Sequence, residues 1–311
     1  MQNTLTLEDF QTAAKHIAPY IRHTPVMDIT LENSQKAVLK LENLQISGSF
    51  KIRGALNTVL SLSKEQLEKG LVTASGGNHG MGVAYAGSLT RTETSIYLPE
   101  NTPLQKVKKL KSLTPDVIVS GAVWDDANKL ALQARDAGGK IYIHPFADIS
   151  VIKGQGTVAL EMLKDAPDLD ILMVAIGGGG LISGVATAAK LINPDIRIIG
   201  IEAEGAPTLY ESCKANSLIT LDEITTKAGT LAPRQSAQIN LDIISSLVDD
   251  IVLISDAEMK EAARWLWNTA GIATELSAAA AIAALQSKKF TPPSTAKIGV
   301  VICGAGSDGF D

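Results

Sequence analysis

The sequence predicts an α/β protein, folded as two lobes or as one large unit, on three observations. Short runs rich in Val and Ile recur along the chain, and segments with helical spacing separate them, as parallel strands and their crossover helices do. The third is size and balance: 311 residues, 45% hydrophobic and 20% charged, suffice for a real core and exclude a disordered or collagen-like chain.

In chain order the predicted strands are 37–41, 71–74, 94–98, 116–119, 140–144, 171–176, 197–202, 251–254 and 297–302. Nearly all precede a stretch able to pack back as a helix. Pro103 opens such a stretch, 104–110, at a first helical turn. Ser255 and Glu258 form a capping box ahead of a helix over 259–267, in which Trp265 and Trp267 point to different faces and are expected to fill two core contacts. The alanine-rich segment 278–285 suits a helix buried on most sides. The uncharged run 171–189 approaches the length of a bilayer span, but its four consecutive glycines would each cost a helix about 1 kcal/mol, so it reads as strand, turn and helix. No repeat or flexible linker marks a domain boundary.

With 28 Lys plus Arg against 33 Asp plus Glu, the net charge of -5 offers no basic footprint for nucleic acid or an anionic membrane. Cys213 and Cys303 are far apart in a large chain, unlike a disulfide framework, which suits a reducing compartment. The N-terminal segment carries Glu8 and Asp9, with neither a basic start nor an apolar stretch, so no signal peptide is read and a cytoplasmic protein is expected.

Three segments carry chemistry. In the string Gly48-Ser49-Phe50-Lys51-Ile52-Arg53-Gly54-Ala55, between a strand and a helix over 55–62, Lys51 is either a solvated charge or an amine beside an aromatic. In the second case desolvation lowers its pKa, and a neutral amine can form a Schiff base with a carbonyl. Ser75-Gly76-Gly77-Asn78-His79-Gly80 follows a strand and leads into a helix from Met81. Its glycines serve the turn, or its amides and the helix N-terminus cradle an anion. Gly177-Gly178-Gly179-Gly180-Leu181 has more glycines than a tight turn needs, so amides free of side chains are expected to wrap a phosphate; it fits neither a nucleotide P-loop nor the dinucleotide spacing.

These three strings in this order resemble the fold-type II pyridoxal-phosphate enzymes of the serine/threonine dehydratase group. The resemblance runs from Arg22-His23-Thr24-Pro25 through Leu41-Glu42-Asn43 to Cys303-Gly304, and the Ser-Phe-Lys-x-Arg-Gly-Ala string is its most specific part. It implies two open parallel-sheet lobes with helices on both faces, like the tryptophan synthase β-subunit. The larger would comprise 1–69 and 147–311, the smaller 70–146, with pyridoxal 5'-phosphate between them. It also implies that Lys51 carries the cofactor and acts as general base, that Phe50 packs on its ring and that Asn78 bonds the ring hydroxyl. Ser75, Gly76, Asn78 and His79 would hold the substrate carboxylate, and Gly177, Gly178, Gly179, Gly180 and Leu181 the phosphate. Cys303 would lie beside the ring nitrogen and Glu275 near the cofactor, unless Glu275 is an ordinary acid at a helix start.

The reaction implied is elimination from L-threonine, L-serine or a related β-hydroxy amino acid, giving a 2-oxo acid and ammonia; the assembly implied is a homodimer. Serine racemization, β-replacement on the same fold and non-catalytic binding of pyridoxal phosphate or an amino acid are the alternatives. Racemases of the group place a serine where this chain has Gly76. Metal-activated members place a second carboxylate after the strand ending at Glu202, where Ala206, Pro207 and Thr208 stand, so no metal is expected and Glu202 reads as a surface acid. With the chain stopping at Asp311, the regulatory domain of biosynthetic relatives is not expected, and His16, His23 and His144 lack ligand spacing and are expected to be structural. Cys213 reads as a small buried side chain.

Overall fold

The structure, a computed structural model, describes residues 5–32, 34–100, 102, 104–114, 116–122, 124–308 and 310. Pro103 lies outside the described residues. In these, strands β1 Val26–Thr30, β2 Lys36–Lys40, β3 Leu71–Ala74, β4 Thr94–Leu98, β5 Val117–Val119, β6 Ile141–Tyr142, β7 Ile171–Ala175, β8 Arg197–Ala203, β9 Asp250–Ile254 and β10 Ile298–Val301 alternate with helices. The helices are α1 Leu7–Ile17, α2 Lys51–Leu60, α3 Lys64–Glu68, α4 Asn78–Thr90, α5 Leu104–Lys111, α6 Trp124–Gly138, α7 Ile149–Asp165, α8 Gly180–Ile192, α9 Thr208–Ala215, α10 Gln238–Leu247, α11 Asp256–Ala270 and α12 Leu276–Gln286.

The strands form two sheets, as the predicted fold class requires. One has the order β1-β2-β10-β7-β8-β9, the other β5-β4-β3-β6, and every neighbouring pair is parallel except β1 with β2. All nine predicted strands are present, with ends displaced by two residues at most. The tenth, β1, is a short antiparallel edge strand, half open to solvent, and becomes a strand only by pairing with β2 across a tight turn.

Each sheet has its own core, and α2 joins them. Ile52, Ala55, Leu56 and Val59 pack with Leu71, Val83, Ile96 and Leu98 of the smaller sheet's core. The other side of α2 crosses α7 almost backbone to backbone: a Cβ on Gly154 would lie 2.6 Å from Gly54 Cα and 2.5 Å from Arg53 O, so neither helix can carry a larger residue there without moving the other. The helix begins at Lys51, four residues before the predicted 55, because no side-chain cap announces its start.

The Ser255–Glu258 capping box opens α11 as read. All residues of α12 from Leu276 to Leu285 are buried. The uncharged run is β7, a glycine turn and α8, and among the described residues no helix is long and apolar enough to cross a membrane. Trp267 corrects the expectation of two core tryptophans: it is 47% exposed and meets the Phe310 ring edge-on at 4.8 Å, whereas Trp265 packs on the core. Cys213 is only partly buried.

Candidate active site

Three adjacent strands deliver the groups predicted to meet. β2, β10 and β7 are neighbours in the larger sheet, and their carboxyl ends lead to Lys51, Cys303 and the four glycines respectively. The lysine loop is strapped to the end of β10. Phe50 N donates to Cys303 O at 3.2 Å, Ala305 N to Gly48 O at 2.8 Å, and Asn43 N to Ile302 O at 2.9 Å. Phe50, Lys51, Asn78, Gly177, Gly178, Gly179, Gly180, Leu181, Glu275 and Cys303 line one cavity. All ten residues predicted to hold the cofactor are thereby brought together.

Lys51 is partly buried, its Nζ 5.3 Å from the centre of the Phe50 ring and donating to Pro145 O at 2.8 Å. Burial lowers its pKa to about 8, against the opposing pull of Cys303 and Glu275. A minor but appreciable fraction of the amine is therefore neutral near physiological pH, the state that attacks an aldehyde. Burial and the nearby Glu275 push the Cys303 thiol far up, so it stays protonated and brings no anion to the site. Burial also raises Glu275, although Ser277 and Asn78 hold its charged form; Asn78 Nδ2 donates to both carboxylate oxygens, at 2.9 and 3.1 Å.

Each of the four glycines has a steric reason, which corrects the expectation that a turn alone would not require them. A Cβ on Gly177 would reach Thr230 O at 2.5 Å, on Gly178 the Phe146 ring at 2.2 Å, and on Gly180 the Phe146 backbone at 2.8 Å, while Gly179 has φ +90. The turn is thus pressed between two loops, with the amides of the first turn of the 13-residue α8 left without intrahelical acceptors. Donors of that kind suit a phosphate dianion and an amine of pKa about 8 suits an aldehyde, so the residues present fit pyridoxal phosphate.

The loop after β3 is divided. Ser75 Oγ accepts from Gly77 N at 3.3 Å and Gly76 is partly exposed, but the His79 ring is buried and its Nε2 lies 2.9 Å from Ile143 O. Burial and then Lys51 lower the His79 pKa to about 3, so the ring anchors the loop as a neutral group from below. His144 is a neutral anchor of the next loop: burial lowers it to about 4, and its Nδ1 accepts from Phe146 N at 3.2 Å and Ala147 N at 2.9 Å. Glu202 is no surface acid. It is fully buried, and Leu209 N and Tyr210 N at the start of α9 donate to it at 2.9 and 2.8 Å, while burial raises it to about 8. The end of β8 points this side chain into the helix that follows, a destination that a lone acid in a sequence does not disclose.

Phe146, Thr230, Leu231 and Ser277 also line the cavity and were not anticipated. Phe146 and Ser277 lie in loops or helix starts next to strand ends, a usable signal, whereas the loop of Thr230 has no periodicity to mark it.

Two parallel-sheet lobes with a desolvated lysine facing a glycine cup define an enzyme that works through a bound aldehyde cofactor. The chain belongs to the family described as pyridoxal-phosphate dependent enzyme, whose profile matches residues 17–304. It is 34% identical over 307 residues to an L-threonine ammonia-lyase of Thermotoga maritima, covering 98% of this chain and 76% of that one. It is 36% identical to a serine racemase of Oryza sativa subsp. indica, covering 97% of this chain and 91% of that one. The structure of maize serine racemase superposes with a TM-score of 0.90 at 35% identity, over 97% and 94% of the two chains.

Proposed function

We propose that this chain removes the β-hydroxyl and amino groups of L-threonine or L-serine, releasing a 2-oxo acid and ammonia, with Lys51 as the catalytic base. The observation that carries the reading is the Lys51 amine of pKa about 8 in one cavity with the glycine cup. Pyridoxal phosphate, when bound, supplies an electron-withdrawing ring that acidifies the α-proton of an amino acid. The Lys51 amine, once free, takes that α-proton, the β-hydroxyl departs protonated as water, and hydrolysis of the remaining enamine yields the 2-oxo acid and ammonia. Ser75, Gly76, Asn78 and the backbone around His79 bind the carboxylate, and Phe50 and Phe146 exclude water. Gly177, Gly178, Gly179, Gly180 and Leu181 hold the phosphate, and Cys303 and Glu275 face the ring.

Relatives named for ammonia-lyase and for racemase activity are both close. Gly76 supports elimination: it offers no acid to the far face of the substrate, and a Cβ there would stand 2.9 Å from Thr102 Cγ2. We place the smaller lobe at 70–146 and expect it to move against the rest, with α2 at the junction. A homodimer in a reducing cytoplasm completes the reading; the unpaired Cys213 and Cys303 support the compartment, and the dimer is what the family resemblance implies.

Incubation with L-threonine and L-serine should release 2-oxobutanoate and pyruvate, together with a near-visible absorbance band. Lys51→Ala should remove the band and reduce release by about a hundredfold to ten-thousandfold. Oxo-acid release that survives Lys51→Ala, or inversion of serine with no oxo acid, defeats the proposal.

A further inference from the structure

Glycine peptides flip easily, so a cup made of four of them needs an outside restraint to keep its amides turned inward. The Gly178 carbonyl has one. It accepts from Asn240 Nδ2 at 2.7 Å and from Ser236 Oγ at 3.0 Å. Because a trans peptide is planar, its C=O and the next N–H point in opposite directions. Holding Gly178 O toward α10 therefore turns the Gly179 amide toward the cleft.

The Asn240 carboxamide has little freedom of its own. It is fully buried, its Nδ2 also reaches Phe146 O at 3.2 Å, and its Oδ1 accepts from Ser183 Oγ at 3.1 Å. Flipping it would set acceptor against acceptor at both Gly178 O and Phe146 O, neither of which can donate. Through Phe146 the same side chain grips the loop whose Pro145 carbonyl receives the Lys51 amine. Nothing in the helical pattern of α10 requires a buried asparagine, which costs stability unless its polar atoms are met.

We propose that Asn240, seconded by Ser236, is the positioning residue of the anion cup, selecting the peptide orientation in which the Gly179 amide meets a phosphate. The proposal rests on the reading of Gly177 to Leu181 as the phosphate cup. The test titrates the apoprotein with pyridoxal phosphate and with pyridoxal, which lacks the phosphate, and takes the ratio of the two dissociation constants. In the unaltered protein the ratio should be about a hundredfold or more; equal affinities there would refute the cup itself rather than the role of Asn240.

In Asn240→Ala the ratio should shrink by about tenfold and in Ser236→Ala by about threefold, with pyridoxal affinity held within about twofold. An unchanged ratio in folded Asn240→Ala overturns the proposal. So does an equal loss for both ligands, the mark of a general packing role. Should Asn240→Ala not fold, Ser236→Ala and Ser183→Ala decide the matter, and unchanged ratios in both overturn it.

Discussion

Two cations stand two residues apart on α2, and their surroundings are opposite. Arg53, below the helix, is fully buried and uses all five N–H groups: Nε and Nη2 on Glu42 at 2.7 Å each, Nη1 and Nη2 on Glu161 at 2.7 and 2.8 Å, and Nη1 on Thr157 at 3.1 Å. Burial alone would lower its pKa, but the two carboxylates overcome this and raise it, so the charge is permanent. Lys40 joins the clamp through Glu161 at 2.7 Å. Lys51, above the helix, donates to one carbonyl, and its pKa falls to about 8. The difference teaches that a buried cation with matched partners is structure, whereas one left short of partners is available for chemistry.

The strongest way to break this contrast is to remove the clamp. Arg53→Met leaves the fully buried Glu42 without its cation and Glu161 with only its Lys40 hydrogen bond, and should cost about 3 to 5 kcal/mol in urea unfolding. Lys51→Met, on the same helix, should leave the unfolding midpoint unchanged or raise it; equal losses would erase the distinction. Glu161→Gln keeps the shape of the clamp but not its charge, and should cost about 1.5 to 3 kcal/mol by the same measurement.

The cleft side responds to pH. Because the folded pKa of Lys51, about 8, lies below its ordinary 10.5, the neutral amine accumulates as pH rises through 8. Capture of pyridoxal by the apoprotein should then slow about tenfold per pH unit below 8 and level off above it. Between pH 8 and 10.5 the unfolded chain holds this proton more tightly, so the group adds stability as pH rises over that window. A capture profile still climbing steeply above pH 9 would show an amine as solvated as any surface lysine. The smallest effect belongs to the clamp's exposed end. His23 is half exposed, with Nε2 2.6 Å from Asp165, and His23→Ala should cost no more than about 1 kcal/mol in thermal unfolding.

Much of the larger sheet was legible because buried parallel strands read as continuous apolar runs, and β7, β8 and β10 do so. The edge strand β1 was not, since Asp28 and Thr30 face solvent and pairing alone defines it. At the site, Lys51 and the glycine cup were legible from composition at strand ends. The destinations of Glu202 and of the His79 ring were not, because burial of a polar side chain is decided by partners distant in sequence. Arg53 was read only as part of a string; its role needed Glu42 and Glu161 beside it. Asn240 gave no sequence signal, as one of several polar residues on α10 looks like an exposed position until the fold buries it.

The strap between residues 48–50 and 303–305 also orders events in time. β2 and the lysine loop emerge from the ribosome well before β10, which fills the gap between β2 and β7. Until it slots in, the larger sheet is split and Lys51 has neither its desolvated perch nor a neighbouring glycine cup. The two walls of the cleft therefore cannot be joined before β10 has been made, however early the lysine loop appears.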